Sequence, residues 1–422
     1  MHGFVVKYRA IVLLVAASTV IRLIAIEVWS SSVTDDRDAY LALAEQLRSG
    51  AGYINPHTEQ PTAFRPPLLP MALAVLMTTV SASVAVALLN ITLGTATVVL
   101  TWFISRQMGF RHLAWCAAGW VCVDPLLIRY TAWPMTETLA TFLLCSAIAL
   151  SFSKQTDPKI KAVTGVILGL AVLCRPAFWI AACILCGAEL LKSMPHMSWQ
   201  MRLRNVPWYT LAGLLLTVAP WLIRNRITLG APVLTTTHGG YTLLLGNNPR
   251  FFDEVVRQPW GTVWGAESLA TWQSQLDRQR AIDAVANNEV ARDRWMYRRA
   301  LHWIREHPRS FGQAMWLRFR RFWNPLPVGS TAHDVPQTVL GLVGGFYSLT
   351  FLLAAIGLFR CGGEQRFRGM LLGAIIASLC LVHCVYWSNT RFRSPVTPVI
   401  ALLATTGLGG VRREKTRAPK TP

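Results

Sequence analysis

Long apolar stretches alternate with short basic ones along the chain, a pattern that predicts a bundle of membrane-crossing helices. The runs near Arg9–Trp29, Val84–Ile104, Ala114–Leu127, Leu139–Phe152, Val163–Leu173, Ala177–Leu191, Tyr209–Ile223, Val339–Phe359, Met370–Trp387 and Pro395–Leu408 each read as a crossing. Val163–Leu173 is short for one and is expected to begin nearer Lys159. Arg106 with Arg111, Lys154 with Lys159 and Lys161, Lys192 with Arg202 and Arg204, and Arg360 with Arg366 and Arg368 mark the alternate connections as cytoplasmic. About ten crossings with both termini cytoplasmic satisfy these signals, the basic tail from Arg412 to Lys420 included. The first run reads as an uncleaved anchor, its apolar core being longer than that of a signal peptide. Arg22 interrupts it and is expected to face the bundle interior.

Two longer segments then lie on the outer side. In the first outer loop, about 30–82, Asp35, Asp36 and Asp38 precede Tyr40, Leu43, Ala44 and Leu47 at helical spacing, which predicts a short amphipathic helix on the membrane surface, ended by Gly50 and Gly52. Arg65-Pro66-Pro67 and Pro70 then start an apolar piece, Pro67–Val80, too short to cross and expected at the interface. The large outer loop, about 225–335, opens with turn signals at Gly239-Gly240-Tyr241 and Gly246–Pro249. It continues as a helix from Asn288 to Glu306, a stop at His307-Pro308, and a second helix with Phe311, Met315, Phe319 and Phe322 on one face. Arg318, Arg320 and Arg321 surround that face, predicting a basic helix lying on the membrane.

Composition narrows the class. With 422 residues, 53% of them hydrophobic, and a mean hydropathy of +0.37, the chain is too apolar for a soluble domain of its size. The net charge of +20, from 41 Lys and Arg against 21 Asp and Glu, is accounted for by topology signals and anionic membrane lipids, with no nucleic-acid partner. The nine cysteines fall in or beside apolar spans and none in the large loop, so no disulfide framework is expected. The expectation is an all-α polytopic membrane protein, one domain over 1–422.

Chemistry concentrates on the outer side, in Asp35, Asp36, Asp38 and Glu137, the last opening an apolar helix after Thr136. A carboxylate within hydrogen-bond reach of a hydroxyl can accept its proton, although Asp36 would serve equally as a helix cap and Glu137 as a partner of the helix dipole. Arg129, Arg175, Arg391 and Arg393 stand in or beside short outer connections where positive charge is disfavoured. Such arginines are natural ligands for a lipid phosphate, snorkelling to headgroups being the alternative.

An aspartate four residues before a tyrosine (Asp36, Tyr40), a helix, Gly-x-Gly-Tyr at Gly50–Tyr53 and Arg-Pro-Pro-x-x-Pro at Arg65–Pro70 together resemble the GT-C membrane glycosyltransferases. The likeness is to the bacterial relatives of the protein O-mannosyltransferase and aminoarabinose transferase branch. Thr136-Glu137, Arg224-Asn225 after Pro220-Trp221, and Arg391-Phe392-x-x-Pro395 extend it. The resemblance implies a GT-C-like bundle in the inner membrane, taking a sugar from a polyprenyl phosphate donor on the outer face. The sugar would pass to an envelope hydroxyl on protein, lipid or polysaccharide, with inversion and with Asp36 as the base. Asp35 and Asp38 stand beside Asp36 as alternatives. Glu137 is implied as a second active-site carboxylate, with Arg65, Tyr40, Arg129, Arg175, Arg224, Asn225, Arg391 and Arg393 as substrate-binding residues. Some members bind a divalent metal and others do not. The histidines here have no paired ligand spacing, so no cofactor is assigned, and His57 in the first loop is the first candidate ligand. A transporter or flippase of lipid-linked sugars and a non-catalytic envelope assembly protein are the competing classes. No inverted repeat or pair of broken helices supports a transporter.

Overall fold

A computed structural model describes residues 2–153, 157–192, 206–327 and 335–409; Lys154, Arg202, Arg204 and the tail from Arg412 to Lys420 lie outside them. Each run read as a crossing forms helix. α1 (His2–Val28) leads into the first loop, where α2 (Tyr40–Arg48) and α3 (Leu68–Leu76) are the two short helices expected there, and then into α4 (Ala82–Gln107). α5 (Ala114–Cys122) and α6 (Pro125–Arg129) form one run broken at Asp124, whose side chain accepts the Leu127 N–H while Pro125 takes the first helical position. α7 (Glu137–Ser151), α8 (Pro158–Cys174), α9 (Phe178–Lys192) and α10 (Trp208–Leu229) follow. The large loop contributes α11 (Gly239–Gly246), α12 (Ala266–Ile282), α13 (Glu289–Glu306) and α14 (Pro308–Phe322), and α15 (Gln337–Arg360), α16 (Glu364–Val385) and α17 (Thr397–Gly409) complete the fold. Among the described residues, four helical stretches are long and apolar enough to cross a membrane: Arg9–Val28, Ala82–Gln107, Gln337–Arg360 and Gln365–Val385.

α7 and α17 form the middle of the bundle, buried on nearly every face from Glu137 to Ala149 and from Thr397 to Gly407, as expected of helices apolar all round. Hydroxyls along them bond back to the preceding turn, Thr141 to the Glu137 carbonyl at 2.6 Å and Thr405 to that of Ala401 at 2.8 Å, which satisfies these groups inside an apolar surrounding. α8 and α10 approach backbone to backbone through Gly165, Gly169 and Gly213; a β-carbon at Gly165 would collide with the Thr210 carbonyl. Arg22 does face the interior, 1% exposed and bonded to Ser18 Oγ at 2.5 Å. All nine cysteines are free.

α14 departs from the expectation of a basic surface helix. Arg318 and Arg321 are buried, because carbonyls elsewhere need donors. Arg318 Nη1 reaches the Val385 and Tyr386 carbonyls at the end of α16 (2.9 and 2.8 Å), its Nη2 reaches Asn247 Oδ1 (2.9 Å), and Arg321 reaches the Thr262 carbonyl (2.6 Å). A helix ends with unpaired carbonyls, and a guanidinium satisfies two at once. Pro308, Arg309, Gly312, Gln313, Trp316, Phe319 and Arg320 of this helix remain on the surface.

At one end of the bundle Arg368 donates to the carbonyls of Gln107 and Phe152, and Arg360 to that of Gly407. The first loop, the large loop and the 175–177 and 386–396 connections gather at the other end, which holds the candidate site.

Candidate active site

The acidic stretch after α1 divides at one residue. Ala39 adopts a left-handed conformation, φ 59°, which a residue with a β-carbon rarely takes. Before this kink Asp36 folds back, its Oδ2 accepting the Ala42 N–H in the first turn of α2 at 2.8 Å. Asp38 turns the other way, into a cavity of about 410 Å³, a size usual for small-molecule sites. Asp35 pairs instead with Arg37 at 2.9 Å, partly exposed.

The cavity is built by chemistry from distant parts of the chain. Arg65 reaches Asp38 Oδ1 at 2.8 Å, and Arg391 reaches its Oδ2 at 3.4 Å. Tyr53 holds the Arg65-Pro66 tract by donating its hydroxyl to both carbonyls, at 3.0 and 3.2 Å. Arg175, where α8 ends, bonds Glu137 Oε1 at 2.5 Å and Thr136 Oγ1 at 2.7 Å. Arg391 Nε lies 3.7 Å from the same Glu137 oxygen, so this one guanidinium bridges both carboxylates. Glu137 Oε2 is buried with no hydrogen-bond partner. Tyr40, His238, Tyr297, Tyr386, Trp387 and Phe392 also line the cavity.

Charge is fixed by these neighbours. Burial acts to raise the Asp38 pKa, but Arg65 and Arg391, with His238, outweigh it and hold the carboxyl below its ordinary value. Burial, with Arg65 beside it, pushes His238 down to about 3, so that histidine is neutral near pH 7. Burial raises the Tyr40 phenol, keeping it protonated. Burial also opposes the charge of Arg391, yet Glu137 and Asp38 overcome it and secure the guanidinium.

Of the residues singled out by sequence, Arg65, Tyr40, Arg175, Arg391 and Glu137 line the cavity, as does Asp38. Asp35, Asp36, Arg129, Arg224, Asn225 and Arg393 do not. Arg129 stacks over Trp29 and Trp133. Arg224 clamps the first loop by donating to the Tyr53 and Thr62 carbonyls, both at 2.6 Å, and Asn225 ties α10 to the Val233 carbonyl. Arg393, 1% exposed, donates to the carbonyls of Phe322 and Asn324 at 2.6 and 3.0 Å. Tyr297 and Tyr386 carry no signal in the sequence, and His238 stands there only among scattered histidines without ligand spacing, beside the turn-like Gly239-Gly240. Among the described residues no group of three or more His, Cys, Asp or Glu is placed to hold a metal ion. His57 is exposed and outside the cavity wall.

Architecture and site together define a multi-pass α-helical membrane protein with a charged cavity where its loops meet. Among solved structures the chain resembles the Archaeoglobus fulgidus oligosaccharyltransferase tethered with an acceptor peptide containing the NVT sequon. That match has a TM-score of 0.57 at 15% identity and covers 95% of this chain and 49% of the other. The archaeal oligosaccharyltransferase AglB from Archaeoglobus fulgidus, in complex with an inhibitory peptide and a dolichol-phosphate, matches with a TM-score of 0.57 at 14% identity over 95% of this chain and 50% of the other. ArnT from Cupriavidus metallidurans, bound to undecaprenyl phosphate, reaches a TM-score of 0.43 at 11% identity over 95% of this chain and 78% of the other. No protein-family model and no curated protein matches the sequence. The chain shares the fold of the Archaeoglobus fulgidus oligosaccharyltransferase structures it matches and spans about half of their length.

Proposed function

We propose that the protein transfers a sugar from a polyprenyl phosphate donor to a hydroxyl of a cell-envelope protein, lipid or polysaccharide, on the outer face of the inner membrane, with both termini cytoplasmic. The convergence of three arginines and two carboxylates in one cavity carries this reading. Arg65, Arg175 and Arg391 are the groups suited to a phosphate, which guanidinium binds bidentately. The dolichol-phosphate bound to AglB supports a lipid phosphate as ligand of such a fold.

The anomeric carbon loses its bond to the phosphate oxygen, and the polyprenyl phosphate leaves with the electron pair, stabilised by the arginines as charge develops. The acceptor oxygen forms the new bond from the opposite face, inverting the centre, and its proton passes to a carboxylate. Asp38 is assigned this role by its position in the cavity wall, and its low pKa keeps it ionised to receive a proton. Asp36, the match to the family pattern, is the second reading, favoured by its buried Oδ1, which has no hydrogen-bond partner. Binding of phosphate by Arg65 and Arg391 would release Asp38 from both ion pairs, coupling donor arrival to the base.

Sugar release from a purified polyprenyl phosphate sugar in the presence of acceptor tests the scheme. Asp38→Asn should reduce turnover by roughly 10²–10⁴ while donor binding and the thermal melt survive. A loss of that size in Asp36→Asn alone would transfer the role to Asp36. Near-normal turnover in both and in the double variant would remove glycosyl transfer from this cavity.

A further inference from the structure

Glu137 is the least accessible charged group of the cavity, its side chain 1% exposed. One of its oxygens serves two guanidiniums, Arg175 at 2.5 Å and Arg391 at 3.7 Å, while the other has no partner. A buried acceptor left unpaired is costly, and in a binding site it marks the place of a ligand's donor. The donor could be an ammonium or a hydroxyl. The charge on Glu137 is already compensated by its two arginines, so the carboxylate lacks a hydrogen bond and not a cation. An ammonium at Oε2 would also stand beside Arg175 and Arg391, with burial strengthening the repulsion.

The whole cavity gives the same sign. Of the carboxylates lining the cavity, Asp38 and Glu137 face Arg65, Arg175 and Arg391, leaving one positive charge beside the neutral His238. A phosphodiester, with one negative charge, balances it. The rest of the wall is suited to a polyol: the Tyr297 and Tyr386 hydroxyls lie 3.4 Å apart, and Trp387 and Phe392 offer ring faces. Resting on the glycosyl-transfer reading above, we infer that the transferred sugar is uncharged and that Glu137 Oε2 accepts one of its hydroxyls. The site therefore discriminates against amino sugars, although the sequence resemblance includes aminoarabinose transferases.

Three donors on one polyprenyl phosphate isolate charge: a neutral pentose, a 4-amino pentose, and that amino pentose N-acetylated. Binding to the full-length protein in lipid nanodiscs at pH 7 should favour the neutral and acetylated donors over the amine by at least about tenfold, the size of about 1.4 kcal/mol. Arg175→Gln, which takes one guanidinium from Glu137, should shrink that penalty severalfold; Arg391→Gln replaces it if a melt shows the first variant unfolded. Equal or tighter binding of the amine, or an undiminished penalty in the folded variant, overturns the inference and leaves the proposed reaction standing. Failure to bind polyprenyl phosphate itself, with or without a sugar, overturns both.

Discussion

Arg391 and Arg393 stand two residues apart on one short 3₁₀ turn, Thr390–Val396, and its three-residue repeat sends them to different surroundings. Arg391→Ala should weaken polyprenyl phosphate binding roughly tenfold or more, a charge-assisted hydrogen bond being worth about 1.5–3 kcal/mol; titration calorimetry would measure it. Arg393→Ala should lower the melting temperature, since two buried carbonyls lose their donor, while the affinity of folded protein stays unchanged. His238 adds a pH signature. An unfolded histidine takes up a proton near pH 6.5, whereas the folded one resists until about 3. The unfolded state binds more protons between those values, so stability should fall as pH drops below 6.5. Asp38, ionised below its usual range, adds to the same fall below about pH 4. In a thermal-melt series from pH 7 to 4.5, His238→Gln should flatten the slope. The sequence favours Asp36, four residues before Tyr40, with Asp38 as a neighbour, and the kink at Ala39 sends the two in different directions. Alanine gives no warning of a left-handed conformation, so that choice was not legible, whereas Arg175 and Arg391, which line the cavity, were.

Helices were easier to read than their faces. The apolar runs marked the long helices, and His307-Pro308 marked the break between α13 and α14, because length, periodicity and proline are local properties. The burial of Arg318 was not legible, since its partners are carbonyls that only the folded chain brings near. Arg318→Met should destabilise the protein by at least about 1.5–3 kcal/mol, seen as a lower melting temperature and faster proteolysis of the large loop. The α8–α10 contact makes a second test. Gly165→Val places atoms where the Thr210 carbonyl stands, and overpacking of this kind costs about 1–3 kcal/mol. Gly187 in α9 has open space around its β-position, so Gly187→Val should leave the melt nearly unchanged.

Across the whole molecule, Gln275 and Lys159 are exposed and belong to regions that the sequence assigns to opposite sides of the membrane. Single cysteines at the two positions, in a cysteine-free background, should be labelled by an impermeant reagent from outside only at Gln275; labelling of both would sink the proposed orientation. The loop end of the bundle is also tied together by Glu289 of α13, which accepts from Thr62 at 2.6 Å, from the Ala63 N–H at 2.9 Å and from Thr237. Arg318 closes the remaining side by seizing the carbonyls of Val385 and Tyr386. That last clasp bears on biosynthesis: α14 leaves the ribosome before the residues it must hold, and Arg391 emerges later still. The nascent protein therefore waits with buried-to-be arginines exposed until α16 has entered the membrane. A chain stalled or truncated before Tyr386 would lack both the carbonyls that Arg318 holds and the guanidinium of Arg391 that joins Asp38 to Glu137, and so have no finished chamber.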